Sequence, residues 1–497
     1  MNLKSIVISC LAALTLTSSA VAAPDRDQFF WLSEINKAST VINSQENLLD
    51  KDLAKRIAKG LTEVISEGNQ PGGKRPNKVI AYEPYLIKKV GMDATMLHIG
   101  RSSQDMHASV NTMILRDYML KISAELNKTM QLIEDIANQN VNTIVPNYTN
   151  GVAAQPNSYA HYLFGYLASF ERDQQKLMDC YERINYSAMG TTVLNGTSWP
   201  LNRQRMSDYL GFKAPVLNAY DAAQTKPIDE LVEISGVLTS IGLHIDTFIQ
   251  DLMTQYAQPR PWIILQEGGD NTYVSSAMPQ KRNPGLLINT RREASTLVGD
   301  AHTMIIRAHN IAPGFSDPKA AAYWKTLDAA VKTLQMFDKC LLALRINPKR
   351  ALEELNLDWT ASQEVADVLM REYKLPFRVG HHFASRMVGF ARANDIKPLD
   401  FPYAEAKRIY AEVIKEEYPS GNPELPMSEA QLKDTLDPVK IIQNRATSGG
   451  PQPEELKRQL VIMQNNIKKQ EEWTAEQRNA IDKALKTLDD DFSQLLR

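Results

Sequence analysis

The amino-acid sequence predicts an almost entirely helical, all-α protein with a bundle of long helices at its centre. Apolar residues recur at three- and four-residue spacing over unusually long stretches, and strand signals are scarce. Helices this long and this apolar need more cover than one small domain provides, so we expect the bundle to be shared between subunits. The four stretches lie at about Met113–Ala137, Pro227–Leu252, Gly285–Asn310 and Ala320–Ile346.

Proline and glycine mark the limits of these elements. Pro227 suits the first turn of a helix, where its missing N–H needs no partner, and Pro348 prevents the last stretch from continuing. From Glu454 onward the chain is charged and amphipathic, which is typical of a solvated surface helix. Segments rich in proline and glycine are predicted to be loops, at 69–76, 418–426 and 448–453.

The length of the chain allows several domains. At 497 residues it can hold two or three domains and bury a large core. We expect an N-terminal helical domain at 23–125, a central long-helix bundle domain at 126–375 and a C-terminal helical domain at 376–497.

The first residues have the pattern of a signal peptide. Lys4 supplies a positive charge, the stretch from Ile6 to Leu16 is apolar, and the small residues at 20–22 suit cleavage. The apolar stretch is shorter than the ~20 residues that a spanning helix needs. We therefore expect removal of residues 1–22, a periplasmic or secreted protein, and no membrane attachment.

Composition argues against two classes of partner. Lysine and arginine number 56 against 58 aspartates and glutamates, so no strong field attracts a polyanion, and we expect no nucleic-acid partner. The close histidine pair His381 and His382 would point about 100° apart on a helix, which does not suit a metal ion. We expect no metal site and no cofactor. Whether Cys180 and Cys340 form a disulfide stays open.

A polar loop between two long helices is the candidate reactive centre. It runs from Gly268 to Pro284 and reads GGDNTYVSSAMPQKRNP. Its paired glycines permit hinge motion, and its serines, Lys281 and Asn283 place hydrogen-bond donors within a short arc. The loop is therefore a candidate anion-binding lid, and an ordinary polar connection between helices is the alternative.

The stretch from Ser275 to Pro284 resembles the signature loop of the fumarase/aspartase superfamily. The similarity to argininosuccinate lyases extends further, to two substrate regions, a linking segment and the C-terminal domain. The resemblance implies a three-domain fumarase/aspartase-type fold whose central long-helix bundle is shared in a homotetramer, with each active site built from three subunits. The additional matching segments are 98–105, 146–156, 190–212 and 436–453.

The resemblance implies a β-elimination. A base removes a proton beside a carboxylate, an aci-carboxylate dianion forms, and an amine or hydroxyl group leaves the neighbouring carbon. The base would be Ser275, whose alkoxide needs nearby positive charge and backbone N–H donors. Lys281 and Asn283 would bind the carboxylates of a small dicarboxylate-type substrate. The other implied substrate contacts are Ser102, Ser103, Gln104, Thr149, Asn150 and Arg203, with a plain salt bridge as the alternative for Arg203.

The candidate site departs from argininosuccinate lyases at three places. Ser103 and Gln104 stand where an arginine and an asparagine are expected, and Phe315 stands in a segment expected to contain tyrosine and lysine. Asn150 replaces a histidine, and Ile288 replaces the glutamate that pairs with it. A buried carboxylate without its partner costs about 3–5 kcal/mol, so loss of both members together is reasonable. We therefore expect a substrate other than argininosuccinate.

Three functions stay open at this point. The first is an exported lyase that breaks a carbon–nitrogen or carbon–oxygen bond and releases fumarate or an analogue. The second is a carboxymuconate-type cycloisomerase, because the Ser-Gln-Asp string at 103–105 is similar to that branch. The third is a non-catalytic ligand-binding relative. The presence of Ser275, Lys281 and Asn283 favours an enzyme.

Overall fold

The structure is a computed structural model that describes residues 26–315 and 323–497. Helices contain 69% of the residues and strands 6%, so the prediction of an almost entirely helical chain is confirmed. The predicted signal peptide and residues 316–322 lie outside the described residues.

The helices of the described residues are mostly long, and the strands are short. In chain order the α-helices are α1 (Gln28–Gln45), α2 (Lys51–Gly68), α3 (Val79–Val90), α4 (Ser103–Gln139), α5 (Tyr159–Ile184), α6 (Arg203–Tyr209), α7 (Ala219–Gln224), α8 (Lys226–Tyr256), α9 (Gly285–Ile306), α10 (Trp324–Ala343), α11 (Pro348–Leu357), α12 (Ser362–Tyr373), α13 (Phe377–Ala393), α14 (Tyr403–Glu417), α15 (Glu429–Leu436), α16 (Pro438–Asn444) and α17 (Pro453–Leu496). The strands are β1 (Ile144–Thr149), β2 (Val152–Ser158), β3 (Tyr186–Ser187), β4 (Ala214–Pro215), β5 (Ile263–Leu265), β6 (Tyr273–Val274), β7 (Arg282–Asn283) and β8 (Leu344–Ile346). Antiparallel pairs form between β1 and β2, β5 and β8, and β6 and β7, whereas β3 and β4 are parallel.

The four predicted long helices correspond to α4, α8, α9 and α10. Helix α4 begins earlier than predicted because Ser102 caps it. The Ser102 hydroxyl accepts the N–H of Gln104 at 3.2 Å, and the Asp105 carboxylate accepts the N–H of Ser102 at 2.7 Å. This reciprocal capping box satisfies donors that the first helical turn would leave unpaired. Helix α8 carries Pro227 in its first turn, as predicted.

Helix α5 and the β1–β2 hairpin are not among the predicted elements. Helix α5 buries Leu163, Leu167 and Phe170 along one face, a helical spacing that the sequence does contain. The hairpin turns at Asn150 and Gly151, whose φ angles are 53° and 76°. Asn-Gly with two positive φ angles is typical of a tight hairpin turn, so this dipeptide was the available signal.

Two large apolar cores organise the described residues. The first contains the bundle helices α4, α5, α8, α9 and α10 together with the N-terminal helices and α17. The second lies between Trp359 and Leu436, in α12 to α15. Helix α17 returns to pack on α1, α2, α4 and α5, and it buries Ile467, Ile481 and Leu488. It is therefore part of the first core along one stripe, in contrast to the solvated surface helix that was expected.

The domains at 23–125, 126–375 and 376–497 stay a prediction, and both internal limits lie inside continuous parts of the structure. The limit at residue 125 lies inside α4, which continues because neither proline nor glycine occurs between Ser103 and Gln139. The limit at residue 375 lies inside the second core.

Among the described helices, α8 alone has the length and composition of a membrane span, and half of its most apolar window is buried against other helices.

Candidate active site

The predicted lid is a β-hairpin with an exposed tip, and we call residues 268–284 the lid hairpin. Beyond the β6–β7 pair, the N–H of Ser275 donates to the carbonyl of Lys281 at 3.3 Å, and the N–H of Lys281 donates to the carbonyl of Met278 at 3.1 Å. Gly268 and Gly269 at its base have φ angles of 95° and 55°, which only glycine adopts without strain. The loop is therefore ordered by its own backbone hydrogen bonds.

Ser275 is half-buried at the start of this tip, and two backbone donors converge on its hydroxyl. Its Oγ accepts the N–H of Met278 at 3.2 Å and the N–H of Ala277 at 3.4 Å. Hydrogen bonds of this kind stabilise negative charge on an oxygen. The local geometry therefore suits a serine that carries an alkoxide, as the resemblance requires of a base.

The other two lid residues differ in how they are held. Asn283 donates its Nδ2 to the carbonyl of Tyr273 at 3.3 Å, across the β6–β7 pair. Arg282 forms an ion pair with Glu267 at 3.2 Å and so braces the hairpin. Lys281 is exposed, and its ammonium pairs with no carboxylate among the described residues. Lys281 is thus the lid cation that stays available to an anionic ligand.

The first substrate region lies at the start of α4, anchored by a buried carboxylate. Besides its capping contacts with Ser102, Asp105 accepts the N–H of Gly190 at 3.0 Å and the N–H of Thr192 at 3.2 Å. The linking segment and the first region are therefore tied together through Asp105. The Ser102 hydroxyl, predicted to contact substrate, is occupied as the helix cap in this chain.

Ser103 and Gln104 open onto a cavity of about 200 Å³, which we call the α4 cavity. The polar residues that line it are Ser103, Gln104, His107, Asn111, Glu230 and Tyr323. The first four lie on one face of α4, because residues three, four and eight positions apart on a helix share a side. His107, Asn111, Glu230 and Tyr323 were not among the predicted site residues.

His107 lines this cavity as a neutral imidazole, with one ring nitrogen accepting a hydrogen bond and the other carrying the proton. Its Nε2 accepts the backbone N–H of Val79 at 3.4 Å. Burial lowers the pKa of His107, and the charge of Lys78 lowers it further. Because Nε2 acts as an acceptor, the proton of the neutral imidazole lies on Nδ1.

Glu230 is the buried carboxylate of the α4 cavity. Its Oε1 accepts the hydroxyl of Thr112 at 2.7 Å and is also ion-paired with Lys226, which does not line the cavity. Burial, together with the charge of Glu230, raises the pKa of Tyr323 well above its ordinary value, so the phenol stays protonated.

Arg203 lies apart from the α4 cavity. Its Nε donates to the carbonyl of Met189 at 2.8 Å, and it lines a separate cavity of about 30 Å³ together with Arg101. Burial lowers the pKa of Arg101 to about 10, and one of its nitrogens donates to Ser39 at 3.1 Å. Burial also lowers the pKa of Arg203, an effect that the charge of Asp105 opposes.

The second substrate region is the turn of the β1–β2 hairpin. Thr149 and Asn150 are exposed there, and beneath them the hydroxyl of Tyr148 donates to Glu354 of α11. The hairpin also packs against α16. The region therefore projects from the junction between the two cores.

The remaining departures from argininosuccinate lyases lie in different settings. Ile288 is half-buried in the first turn of α9, and Phe315 is exposed. The segment 316–319, which follows Phe315, lies outside the described residues.

Cys180 and Cys340 are free and buried, and burial raises the pKa of each to about 12, so they form no disulfide with each other. Among the described residues no histidine, cysteine, aspartate and glutamate cluster is placed to hold a metal ion.

Within one chain the predicted site residues occupy several places. The α4 cavity is lined by Ser103 and Gln104 and by none of the other predicted residues, which are Ser275, Lys281, Asn283, Thr149, Asn150, Arg203 and Ser102. One chain therefore does not bring the predicted site residues together in a single pocket.

Gly100 fixes the approach to the first substrate region, and we expect Gly100→Ala to destabilise the protein. Its φ is 61°, and an added Cβ would lie 2.4 Å from Cδ1 of Leu201. A suitable control is Gly72→Ala, which has a φ of 76° and no atom within 4 Å of the added Cβ. Both variants carry backbone strain of about 1–2 kcal/mol. The collision should add about 1–3 kcal/mol for Gly100→Ala alone, measured as the free energy of unfolding in denaturant. Equal losses of unfolding free energy in the two variants would show that the Leu201 side chain moves aside at no cost.

Comparisons with known proteins match most of the chain. The family model described as Lyase matches residues 26–299, and the model described as Argininosuccinate lyase C-terminal matches residues 359–443. The argininosuccinate lyase of Methanocaldococcus jannaschii is 28% identical over 458 residues, covering 91% of this chain and 91% of that protein. The argininosuccinate lyase of Methanothermobacter thermautotrophicus is 27% identical over 427 residues, covering 85% and 89%.

Solved structures share the fold at lower identity. EDDS lyase in complex with formate has a TM-score of 0.85 and 23% identity, covering 94% of this chain and 92% of that one. The 3-carboxy-cis,cis-muconate lactonizing enzyme from Pseudomonas putida has a TM-score of 0.64 and 18% identity, covering 89% and 96%. The overall helical architecture is therefore similar to both, and more similar to that of EDDS lyase.

Proposed function

The chain belongs to the lyase family of the fumarase/aspartase superfamily and is a carbon–nitrogen lyase, and we propose that it eliminates an amine from an N-substituted aspartate to release fumarate. The observation that carries this proposal is the lid hairpin. It holds the Ser275 hydroxyl under two backbone N–H donors, with the unpaired Lys281 on the same turn. That arrangement suits a base that must carry negative charge beside an anionic substrate.

Each of these residues has a separate role in the proposed reaction. Lys281 and Asn283 bind the substrate carboxylates, so that the proton beside one of them faces Ser275. Ser275, as an alkoxide stabilised by the two lid N–H groups, takes that proton and becomes a neutral hydroxyl, and Lys281 stabilises the developing aci-carboxylate. Collapse of the dianion forms the carbon–carbon double bond and breaks the carbon–nitrogen bond, and a neutral amine leaves because its nitrogen enters the reaction as an ammonium group. The pocket is completed by Thr149 and Asn150 from one subunit and by Ser103 and Gln104 from another. Arg203 lies in the separate cavity beside the first substrate region.

The similar proteins favour an amine over a hydroxyl leaving group. Argininosuccinate lyase and EDDS lyase are among them, and a variant of EDDS lyase has been solved with bound fumarate. The cycloisomerase alternative rests on the Ser-Gln-Asp string at 103–105 and on a fold likeness at 18% identity. The replacements at Ser103, Asn150 and Ile288 favour a substrate other than argininosuccinate.

A fumarate-release screen tests the proposed function. The purified protein is mixed with aspartates that carry different N-substituents, and fumarate is followed by its ultraviolet absorbance. We expect release from at least one adduct, with argininosuccinate among the poorer substrates. An absence of fumarate from every adduct would contradict the proposal and favour a non-catalytic relative.

We propose that the working unit is a homotetramer built on the long helices. Apolar side chains on the bundle stay exposed in the single chain, among them Leu243 on α8, Ile306 on α9 and Leu342 on α10. Large apolar side chains that stay exposed on three neighbouring bundle helices suit an interface with another subunit. Sedimentation at micromolar concentration should therefore give a tetramer, and a well-folded monomer would contradict the shared bundle.

We also propose that the protein is exported. The support is the pattern of residues 1–22, with its basic, apolar and small-residue segments. N-terminal sequencing of the protein recovered from the periplasm or the medium should start near residue 23. A cytoplasmic protein that retains Met1 would contradict export.

A further inference from the structure

We infer that a cavity beneath the β1–β2 hairpin, which we call the Asp251 cavity, binds a small primary alkylammonium ion. The cavity has a volume of about 130 Å³, and residues of β1, α5 and α8 line it together with Trp262, just before β5. The inference goes beyond the proposed function, because none of the residues given a role in the elimination lines this cavity. It depends on a carboxylate, on a free buried acceptor and on an aromatic wall.

Asp251 supplies the negative charge of the cavity. Its Oδ2 accepts the hydroxyl of Tyr162 at 2.7 Å. Burial raises the pKa of Tyr162 well above its ordinary value, so the phenol donates a hydrogen bond but adds no positive charge. No lysine, arginine or histidine lines the cavity in the parts of the chain that the structure describes. Charges that are withdrawn from water are usually paired, so this carboxylate suits a cationic ligand.

Gln255, one turn further along α8, supplies a second acceptor. It is 3% exposed, and its Oε1 is buried and accepts no hydrogen bond from the described residues. Burial and the hydrogen bond to Glu354 raise the pKa of Tyr148, whereas hydrogen bonds from Trp262 and Gln255 lower it. Because the proton of Tyr148 is donated to Glu354, Gln255 donates to this hydroxyl through Nε2, and its Oε1 stays free. A buried acceptor without a donor is destabilising, and an N–H of a primary ammonium would satisfy it.

Aromatic side chains contribute much of the apolar wall. Tyr148, Tyr162 and Trp262 line the cavity, and Nε1 of Trp262 donates to the hydroxyl of Tyr148 at 3.2 Å. Tyr159, which does not line the cavity, stacks on Tyr162 with the ring centroids 5.9 Å apart. Aromatic rings attract ammonium ions and cover their alkyl groups. A primary alkylammonium ion therefore matches the cavity in its charge, in its N–H donors and in its apolar part.

The Asp251 cavity lies far from residues 316–322, which are outside the described residues. Gly314 and Tyr323, which flank that segment, line the α4 cavity beside Leu231, near the start of α8. Asp251 lies 20 residues beyond Leu231, which is about 30 Å along the helix axis. The nine links from Gly314 to Tyr323 span roughly 32 Å when fully extended, so a loop that returns to its starting region reaches about half that distance. The charged side chains of this segment therefore do not reach Asp251.

Ethylammonium and ethanol test the inference as a matched pair. Both have three heavy atoms, and the cavity has room for roughly four water-sized groups of about 30 Å³ each. Saturation-transfer proton NMR of the wild-type protein without substrate measures the binding of each. We expect a Kd on the order of 1 mM for ethylammonium, near the limit for so small a ligand, and at least about tenfold weaker binding of ethanol. Equal binding of the two, or no binding of ethylammonium, would overturn the inference.

Asp251→Asn removes the charge of the cavity and keeps an oxygen that accepts the Tyr162 hydroxyl. The Kd for ethylammonium should rise by about tenfold or more, because a hydrogen bond to a charged group is lost. Asp490→Asn, an equal change on the exposed face of α17, should leave the Kd as it is. An unchanged Kd in Asp251→Asn, or an equal rise in both variants, would place the ligand elsewhere and overturn the inference.

A crystal structure of the wild-type protein grown with ethylammonium chloride locates the ligand without any variant. We expect the ammonium nitrogen within hydrogen-bond distance of the Asp251 carboxylate and of Oε1 of Gln255. Because no substrate is present, this result is separate from the proposed function and would support the inference even if the protein released no fumarate. Water alone in the Asp251 cavity would overturn it even if fumarate release were fast.

Discussion

Ser275→Ala is expected to lower the rate of fumarate release by about 100-fold or more, the range typical for removal of a general base. The change deletes the hydroxyl that receives the two lid N–H groups and that would accept the proton. Lys281 and Asn283 remain, so the Kd for substrate should change little. Steady-state kinetics and calorimetry on the same preparation measure the two quantities.

Ser276→Ala is the matched control for this change. Ser276 is the exposed neighbour of Ser275 on the same hairpin, and its hydroxyl makes no hydrogen bond among the described residues. Its loss should have a much smaller effect on the rate. Full activity in Ser275→Ala, or equal losses in both variants, would remove Ser275 from the role of base.

Lys281→Ala should weaken substrate binding as well as slow the reaction. The ammonium is the lid cation without an ion-pair partner among the described residues, and it would contact a substrate carboxylate in both the ground state and the dianion. Loss of one hydrogen bond to a charged group costs about 1.5–3 kcal/mol, so the Kd should rise by about 10- to 100-fold. The value of kcat should fall too, because the dianion carries more charge than the substrate.

The exposed Lys433→Ala variant controls for the loss of a lysine in general. Lys433 pairs with Glu429 on α15, within the helices of the second core. Its removal should leave both kcat and Kd unchanged. If Lys281→Ala raised the Kd without lowering kcat, the lysine would bind substrate but not stabilise the transition state.

The long helices could be predicted from sequence because each carries its own apolar periodicity. Helix α8, for example, buries Leu231, Leu238 and Ile245 at intervals that only a helix brings to one face. The β1–β2 hairpin was missed although Asn150-Gly151 is a local signal for it. The two-core arrangement could not be predicted, since it depends on α17 returning to α1 and α4 from the far end of the chain.

The lid could be predicted because its residues are contiguous. Ser275, Lys281 and Asn283 lie within one hairpin, so a single sequence motif contains them all. The α4 cavity could not be predicted, because it forms where α7 packs against both α4 and α8, which brings Glu230 and His107 to one cavity across a long separation in sequence. His107 itself lies four residues after Ser103, and the helical spacing of α4 was the signal that would have indicated it.

Proton NMR of the complete reaction mixture is the most direct test of the central claim, that this chain is a carbon–nitrogen lyase releasing fumarate. The spectrum identifies every product without a coupled assay. We expect the vinyl signal of fumarate and the signals of the free amine to rise together in equal amounts as the N-substituted aspartate disappears. Conversion to a single isomeric product, as a cycloisomerase would give, or an unchanged spectrum for every adduct that binds, would contradict it.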